Sequence, residues 1–114
     1  MNDYVFWGIV GLCVAVMLMN RFRGKADPDE AHRLVESGAL LLDVRSPGEF
    51  QGGHIEGAVN IPVGELGARL AELPDKGRAV VVYCASGMRS AAAKKVLLGA
   101  GYATVVDLGP MSRW

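Results

Sequence analysis

The apolar and polar positions along the chain fall into two unlike parts. Tyr4 to Met19, YVFWGIVGLCVAVMLM, is an unbroken apolar run of 16 residues between Asp3 and the polar, basic segment Asn20-Arg21-Phe22-Arg23-Gly24-Lys25. After it, apolar runs of four to six residues alternate with longer stretches of mixed character. Asp27-Pro28-Asp29-Glu30 reads as a helix start, with Asp27 as cap, Pro28 in the first turn and Glu30 completing a capping box. That helix runs to about Ser37 and stops at Gly38. Ala39 to Val44 is a continuous apolar strand, Ser46-Pro47-Gly48-Glu49 opens a brief helix, and Ala58 to Ile61 is a short strand. A helix over about Glu65 to Leu73, a strand over Ala79 to Cys84, a helix over Ser90 to Ala100 and a strand over Ala103 to Leu108 complete the pattern. Strands alternating with helices predict an α/β fold, a parallel sheet flanked by helices.

The first part predicts a membrane anchor over residues 1–20, a polar linker over 21–26 and a soluble domain over 27–114. A helix of 16 residues is about 24 Å long, somewhat short of a hydrocarbon core of roughly 30 Å. Interfacial Tyr4 and Trp7 and snorkelling Arg21 and Arg23 could make up the difference. A cleaved signal peptide would want positive charge before the run and small residues at a cleavage site after it, whereas Asp3 precedes this run and MNRFR follows it. A signal peptide and a buried helix are the alternatives to the anchor. Because Arg21, Arg23 and Lys25 follow the run, the expected topology is single-pass in an inner or plasma membrane, with the domain facing the cytoplasm.

Composition narrows the function. With 12 basic and 12 acidic residues the chain has no net charge and no basic or aromatic cluster for nucleic acid. Its two cysteines, Cys13 in the apolar run and Cys84 at a strand end, are not paired in this reading, and the histidines His32 and His54 support no metal site.

The chemistry concentrates in Ala79 to Ser90, AVVVYCASGMRS. A thiol at the end of a strand, facing the first turn of a helix, meets unpaired backbone N–H groups and the positive end of the helix dipole. Such a place lowers a thiol pKa, and Arg89, five positions on, adds a fixed positive charge. Free cysteine is also among the most buried residue types, so a purely structural Cys84 is the competing reading. Against it stand Ser86 and Gly87, suited to a tight turn, and an Arg89 that needs an anionic partner.

The loop Cys84, Ser86, Gly87, Arg89 and Ser90 resembles the C-x-S-G-x-R-S active loop of the rhodanese-like sulfurtransferases. The segment LLDVRSPGEFQGGHIEGAVNIP, Leu41 to Pro62, is similar to that family's D-x-R…E-(F/Y)…G-H-I-x-G-A-x-N-I-P signature. The C-terminal Leu108-Gly109-Pro110-Met111-Ser112-Arg113-Trp114 resembles its G-G-x-x-x-W, with Pro110 in place of the second glycine. The resemblance implies a cofactor-free sulfur transfer in which Cys84 is the nucleophile, becoming a persulfide. Residues Ala85, Ser86, Gly87, Met88, Arg89 and Ser90 would then bind a small anionic donor such as thiosulfate, and a thiol or cyanide would accept the sulfur. Asp43, Arg45, Glu49, His54 and Asn60 are read as structural. Two alternatives stay open: a non-catalytic rhodanese-like binding module at a membrane, and a cysteine phosphatase or arsenate reductase. The phosphatase loop has five residues between Cys and Arg, where this chain has four.

Overall fold

The structure, a computed structural model, describes residues 2–21 and 24–114, with side chains over 2–16 and 24–114. Its helices are α1 (Asp3–Arg21), α2 (Pro28–Glu36), α3 (Pro47–Gln51), α4 (Val63–Leu66) and α5 (Met88–Gly99); its strands are β1 (Leu40–Asp43), β2 (Val59–Asn60), β3 (Val80–Cys84) and β4 (Val105–Pro110). All four strands pair in parallel, in the order β2-β1-β3-β4. The chain thus leaves β1 toward one edge and returns through β3 toward the other. The reversal lies between the carboxyl ends of β1 and β3, where ligands bind in open α/β sheets.

The continuous apolar strands are explained by cores on both faces. Leu40, Leu42, Val80, Val82 and Cys84 pack with Ala93 and Leu97 of α5 and Leu66 of α4. Leu41, Val81, Tyr83 and Leu108 pack on the other face with Ala31 of α2. Alternate side chains of one strand therefore serve opposite layers, as the pleat requires. The C-terminal tryptophan joins the second layer, its ring 3.6 Å from that of His32 and its carbonyl oxygen 2.8 Å from His32 Nε2.

Several expectations change in detail. Asp27 caps α2 by accepting the Asp29 N–H at 2.9 Å, and the same cap pattern, expected again at Ser46 and Glu49, forms a full capping box there. The helix expected over 65–73 is broken into α4 and a 3₁₀ turn at Leu70–Glu72, with Gly67 ending the first piece. Gly64 and Gly67 both weaken a continuous helix there. Helix α5 begins two residues earlier than expected, at Met88.

The N-terminal run is helical, but the expected membrane span is not supported. Among the described residues no helix is long and apolar enough to cross a membrane. Arg21 and Arg23, which with Lys25 set the expected orientation, lie outside the described side chains. Lys25 and Ala26 also depart from a free polar linker. Lys25 forms a parallel bridge with Asp107 at the β4 edge, and the Ala26 N–H donates to the Asp107 carbonyl at 2.6 Å.

Candidate active site

Strand β3 is buried along its whole length and delivers Cys84 to the carboxyl edge of the sheet with no side-chain exposure to solvent. The chain then turns through exposed Ala85 and Ser86 to Gly87, whose φ of 98° lies in the left-handed region that glycine adopts at little cost. A Cβ at Gly87 would also come within 3.3 Å of Pro110 Cδ, so the loop packs closely on the end of β4. This turn aims the first amides of α5 back at the sulfur. The Gly87 N–H donates to Cys84 Sγ at 2.9 Å, and the buried Ser90 hydroxyl lies 3.5 Å from it.

Burial alone would push the Cys84 thiol up, yet its pKa is lowered. The Ser90 hydroxyl and the backbone N–H groups of Ser90, Gly87 and Arg89 together outweigh the desolvation. Arg89 contributes to that lowering through its backbone N–H, while its guanidinium is engaged by Glu49. Its Nη1 and Nη2 donate to Glu49 Oε1 at 2.7 Å and Oε2 at 3.0 Å. Those bonds are the main reason its pKa is raised; burial opposes them, and the charges on Cys84 and Asp43 contribute less. Glu49 in turn is held down to about 2, first by Arg89 and then by the Ser46 N–H.

The remaining motif residues build the floor. Arg45 donates to both carboxylate oxygens of Asp43, with Nε to Oδ1 at 3.1 Å and Nη2 to Oδ2 at 2.7 Å, and to the Gly53 carbonyl at 2.7 Å. Both side chains are buried. Asn60 spans the carbonyls of Asp43 and Arg45 at 3.0 and 2.9 Å. Tyr83 accepts the Ile55 N–H at 3.2 Å, and burial with its Asp43 hydrogen bond pushes its hydroxyl up to about 12. His54 stacks on Phe50 at 3.6 Å and meets the Phe50 carbonyl at 2.8 Å, a local turn contact.

The loop therefore gathers Cys84, Gly87, Arg89 and Ser90 around one sulfur, with Ala85, Ser86 and Met88 on its outer side; Met88 is 81% exposed. The sequence reading missed Glu49 as the partner of Arg89. The signal was available, because a capping-box Glu has its carboxylate at a helix start and an arginine in a loop needs an anion. No group of side chains among the described residues could hold a metal ion.

Residues 27–114 match the Rhodanese-like domain. The chain belongs to the rhodanese-like family. It is 44% identical over 69 residues to the thiosulfate sulfurtransferase PspE of Escherichia coli, an alignment covering 60% of this chain and 66% of that protein. Among solved structures it is similar to a rhodanese with anions from E. coli, at 37% identity and a TM-score of 0.64, covering 68% of this chain and 92% of that one. It is also similar to the human single-domain sulfurtransferase TSTD1, at 31% identity and a TM-score of 0.69, covering 80% and 94% of the two chains. Rhodanese-like membership accounts for the sheet order, the signature floor and the cysteine loop together. The chain spans about two thirds of the length of PspE.

Proposed function

We propose that the protein is a sulfurtransferase that carries a sulfane sulfur on Cys84. The supporting observation is the buried sulfur that accepts the Gly87 N–H at 2.9 Å and whose thiol is shifted toward the thiolate despite its burial. Relatives with sulfurtransferase names, PspE and TSTD1, agree with it.

In the reaction the Cys84 thiolate attacks the outer sulfur of thiosulfate. A new S–S bond forms, the old one breaks, and sulfite leaves with its electron pair. The amides over Ala85 to Ser90 stabilise the negative charge on the terminal sulfur of the persulfide, as an oxyanion hole stabilises oxygen. A thiolate or cyanide then attacks that terminal sulfur, and the electrons of the S–S bond return to Cys84. Every step uses groups of this chain and the two substrates, without a cofactor.

Intact mass after thiosulfate treatment tests the proposal. The protein should gain one sulfur atom and lose it to cyanide, while Cys84→Ser should remain folded and gain nothing. A gain in Cys84→Ser would move the chemistry elsewhere; no gain in the unmutated protein would favour a binding module.

We propose separately that α1 anchors the chain to a membrane, with the domain on the cytoplasmic side because basic residues follow the apolar run. Tyr4, Trp7 and Leu12 are 88%, 67% and 65% exposed, and Val5, Phe6, Ile9 and Val14 are exposed as well, apolar surface all round the helix that water disfavours. Flotation of the full chain with liposomes tests this, and a chain that stays with the soluble fraction would overturn it.

A further inference from the structure

We propose that Lys25 is a positioning residue for the cysteine loop, holding the Gly87 carbonyl so that the Ser90 hydroxyl is free to turn toward Cys84. The observation is a crowded acceptor. Gly87 O receives Lys25 Nζ at 2.8 Å, Ser90 Oγ at 3.1 Å and the Ala91 N–H at 3.2 Å. A carbonyl oxygen has two lone pairs, so three donors compete for it. The ammonium bond is charge-assisted and the helical N–H is fixed by α5, which leaves the hydroxyl as the donor that can rotate.

That rotation matters because Ser90 Oγ has two uses. In the resting arrangement its proton points to Gly87 O, and it can accept the Cys84 thiol proton at 3.5 Å. Once the sulfur is a thiolate, the hydroxyl serves better as a donor to it. Lys25 and the Ala91 N–H together fill both lone pairs of Gly87 O, so with Lys25 in place the hydroxyl can leave without emptying one of them. A buried carbonyl that lost its donor would resist the change.

The placement of Lys25 is built rather than incidental. Its side chain is 8% exposed, and its ammonium is 2.5 Å from Asp107 Oδ2. Asp107 is 3% exposed and accepts the Gly109 N–H at 2.8 Å through its other oxygen. The register shift in β4 after Asp107 brings in Gly109, with φ of 84°. A Cβ there would approach Lys25 Cδ to 3.2 Å, and one on Gly87 would approach Lys25 Cε to 3.4 Å. Two left-handed glycines therefore line the slot through which the lysine stem passes. Other charged groups beside this slot are Glu30 of α2 and Lys94 of α5. Around Cys84 the charged groups are Arg89, paired with Glu49, and Asp43, paired with Arg45.

The inference rests on Cys84 as the nucleophile, but its test reads the thiol without any sulfur donor. The rate of iodoacetamide alkylation at Cys84 is measured against pH in the full chain carrying Cys13→Ser, so that a single thiol reacts. Lys25→Met should move the midpoint up by about half to one pH unit, which is about three- to tenfold less thiolate below the midpoint. Lys25→Arg, which keeps the charge, should restore the profile to within about threefold. In a Ser90→Ala background, Lys25→Met should have little further effect, because the hydroxyl that carries the influence is gone. Lys25→Met/Asp107→Asn is measured alongside, since it strands no buried carboxylate and should show the same upward shift. An unchanged midpoint in the folded variants would overturn the proposal, as would an undiminished shift in the Ser90→Ala background. Failure of thiosulfate turnover with the expected alkylation shifts would count against the sulfur-transfer reading and leave Lys25's role standing.

Discussion

Two arginine–carboxylate pairs lie at the carboxyl edge of the sheet, and they differ in nearly everything except chemistry. Arg45 and Asp43 sit in the floor, 8% and 0% exposed, with Arg45 also bound to the Gly53 carbonyl and the backbone carbonyls of both residues held by Asn60. Arg89 and Glu49 sit at the mouth, 36% and 37% exposed, joining the cysteine loop to the start of α3. A charge in the floor has no water to fall back on, so its partner is part of the fold. A charge at the mouth can exchange its partner for solvent or for an anionic substrate. Burial, rather than residue type, makes one pair part of the architecture and leaves the other open to exchange.

The largest expected effect breaks the floor. Removing one partner of a buried pair leaves an uncompensated charge and costs about 3 to 5 kcal/mol. Asp43→Asn should therefore lower the denaturation midpoint steeply in urea, with sulfur transfer lost only as far as folding is lost. A variant as stable as the parent would place the floor pair in the same class as the mouth pair.

The same contrast explains how much could be read from residues alone. The sheet, its helices and the cysteine loop follow from patterns that are local in sequence: apolar runs for β1 and β3, and a glycine-bearing turn before α5. The buried Asp43–Arg45 pair is also local, two residues apart at a strand end. Arg89 with Glu49 is separated by 40 residues, and Lys25 with Gly87 by 62. Such pairings depend on the order in which strands assemble and on the register shift in β4, neither of which leaves a periodic trace. Lys25 was legible only as a charge after an apolar run, which suggested a membrane flank. The β4 edge claims it instead. The broken helix at α4 failed for a simpler reason, since two glycines in one short segment weaken it without saying where it ends.

A smaller effect, and one on activity rather than stability, follows at the mouth. Exposed ion pairs contribute little to folding, so Arg89→Ala should melt close to the parent. Sulfur transfer should nevertheless slow by about ten- to a hundredfold, the usual consequence of losing a charge-assisted contact to an anionic group in the transition state. Steady-state kcat/KM with thiosulfate checks the second half and thermal melting the first. Full activity would remove Arg89 from the site and leave the backbone amides as the whole cradle.

The smallest effect sharpens the comparison most, because it asks whether Arg89 is available to a substrate at all. Glu49 occupies both of the guanidinium's Nη groups, so a dianion such as thiosulfate must compete with a carboxylate already in place. Glu49→Gln keeps an oxygen to accept the Ser46 N–H and so preserves the cap of α3, but it withdraws the negative charge. Freed of that competitor, Arg89 should bind thiosulfate more tightly, with KM falling about two- to fivefold and kcat little changed. The sign of the pH dependence follows from the carboxyl at about 2. A folded pKa below the ordinary carboxylate range means that the pair's contribution is present above that range and is lost only as the pH falls toward 2. Between pH 5 and 8 Glu49 stays ionised, so its competition should not vary there, and the thiosulfate KM should differ between parent and variant by a constant factor. A KM that rises in Glu49→Gln would show that the carboxylate orients Arg89 for the donor instead of competing with it.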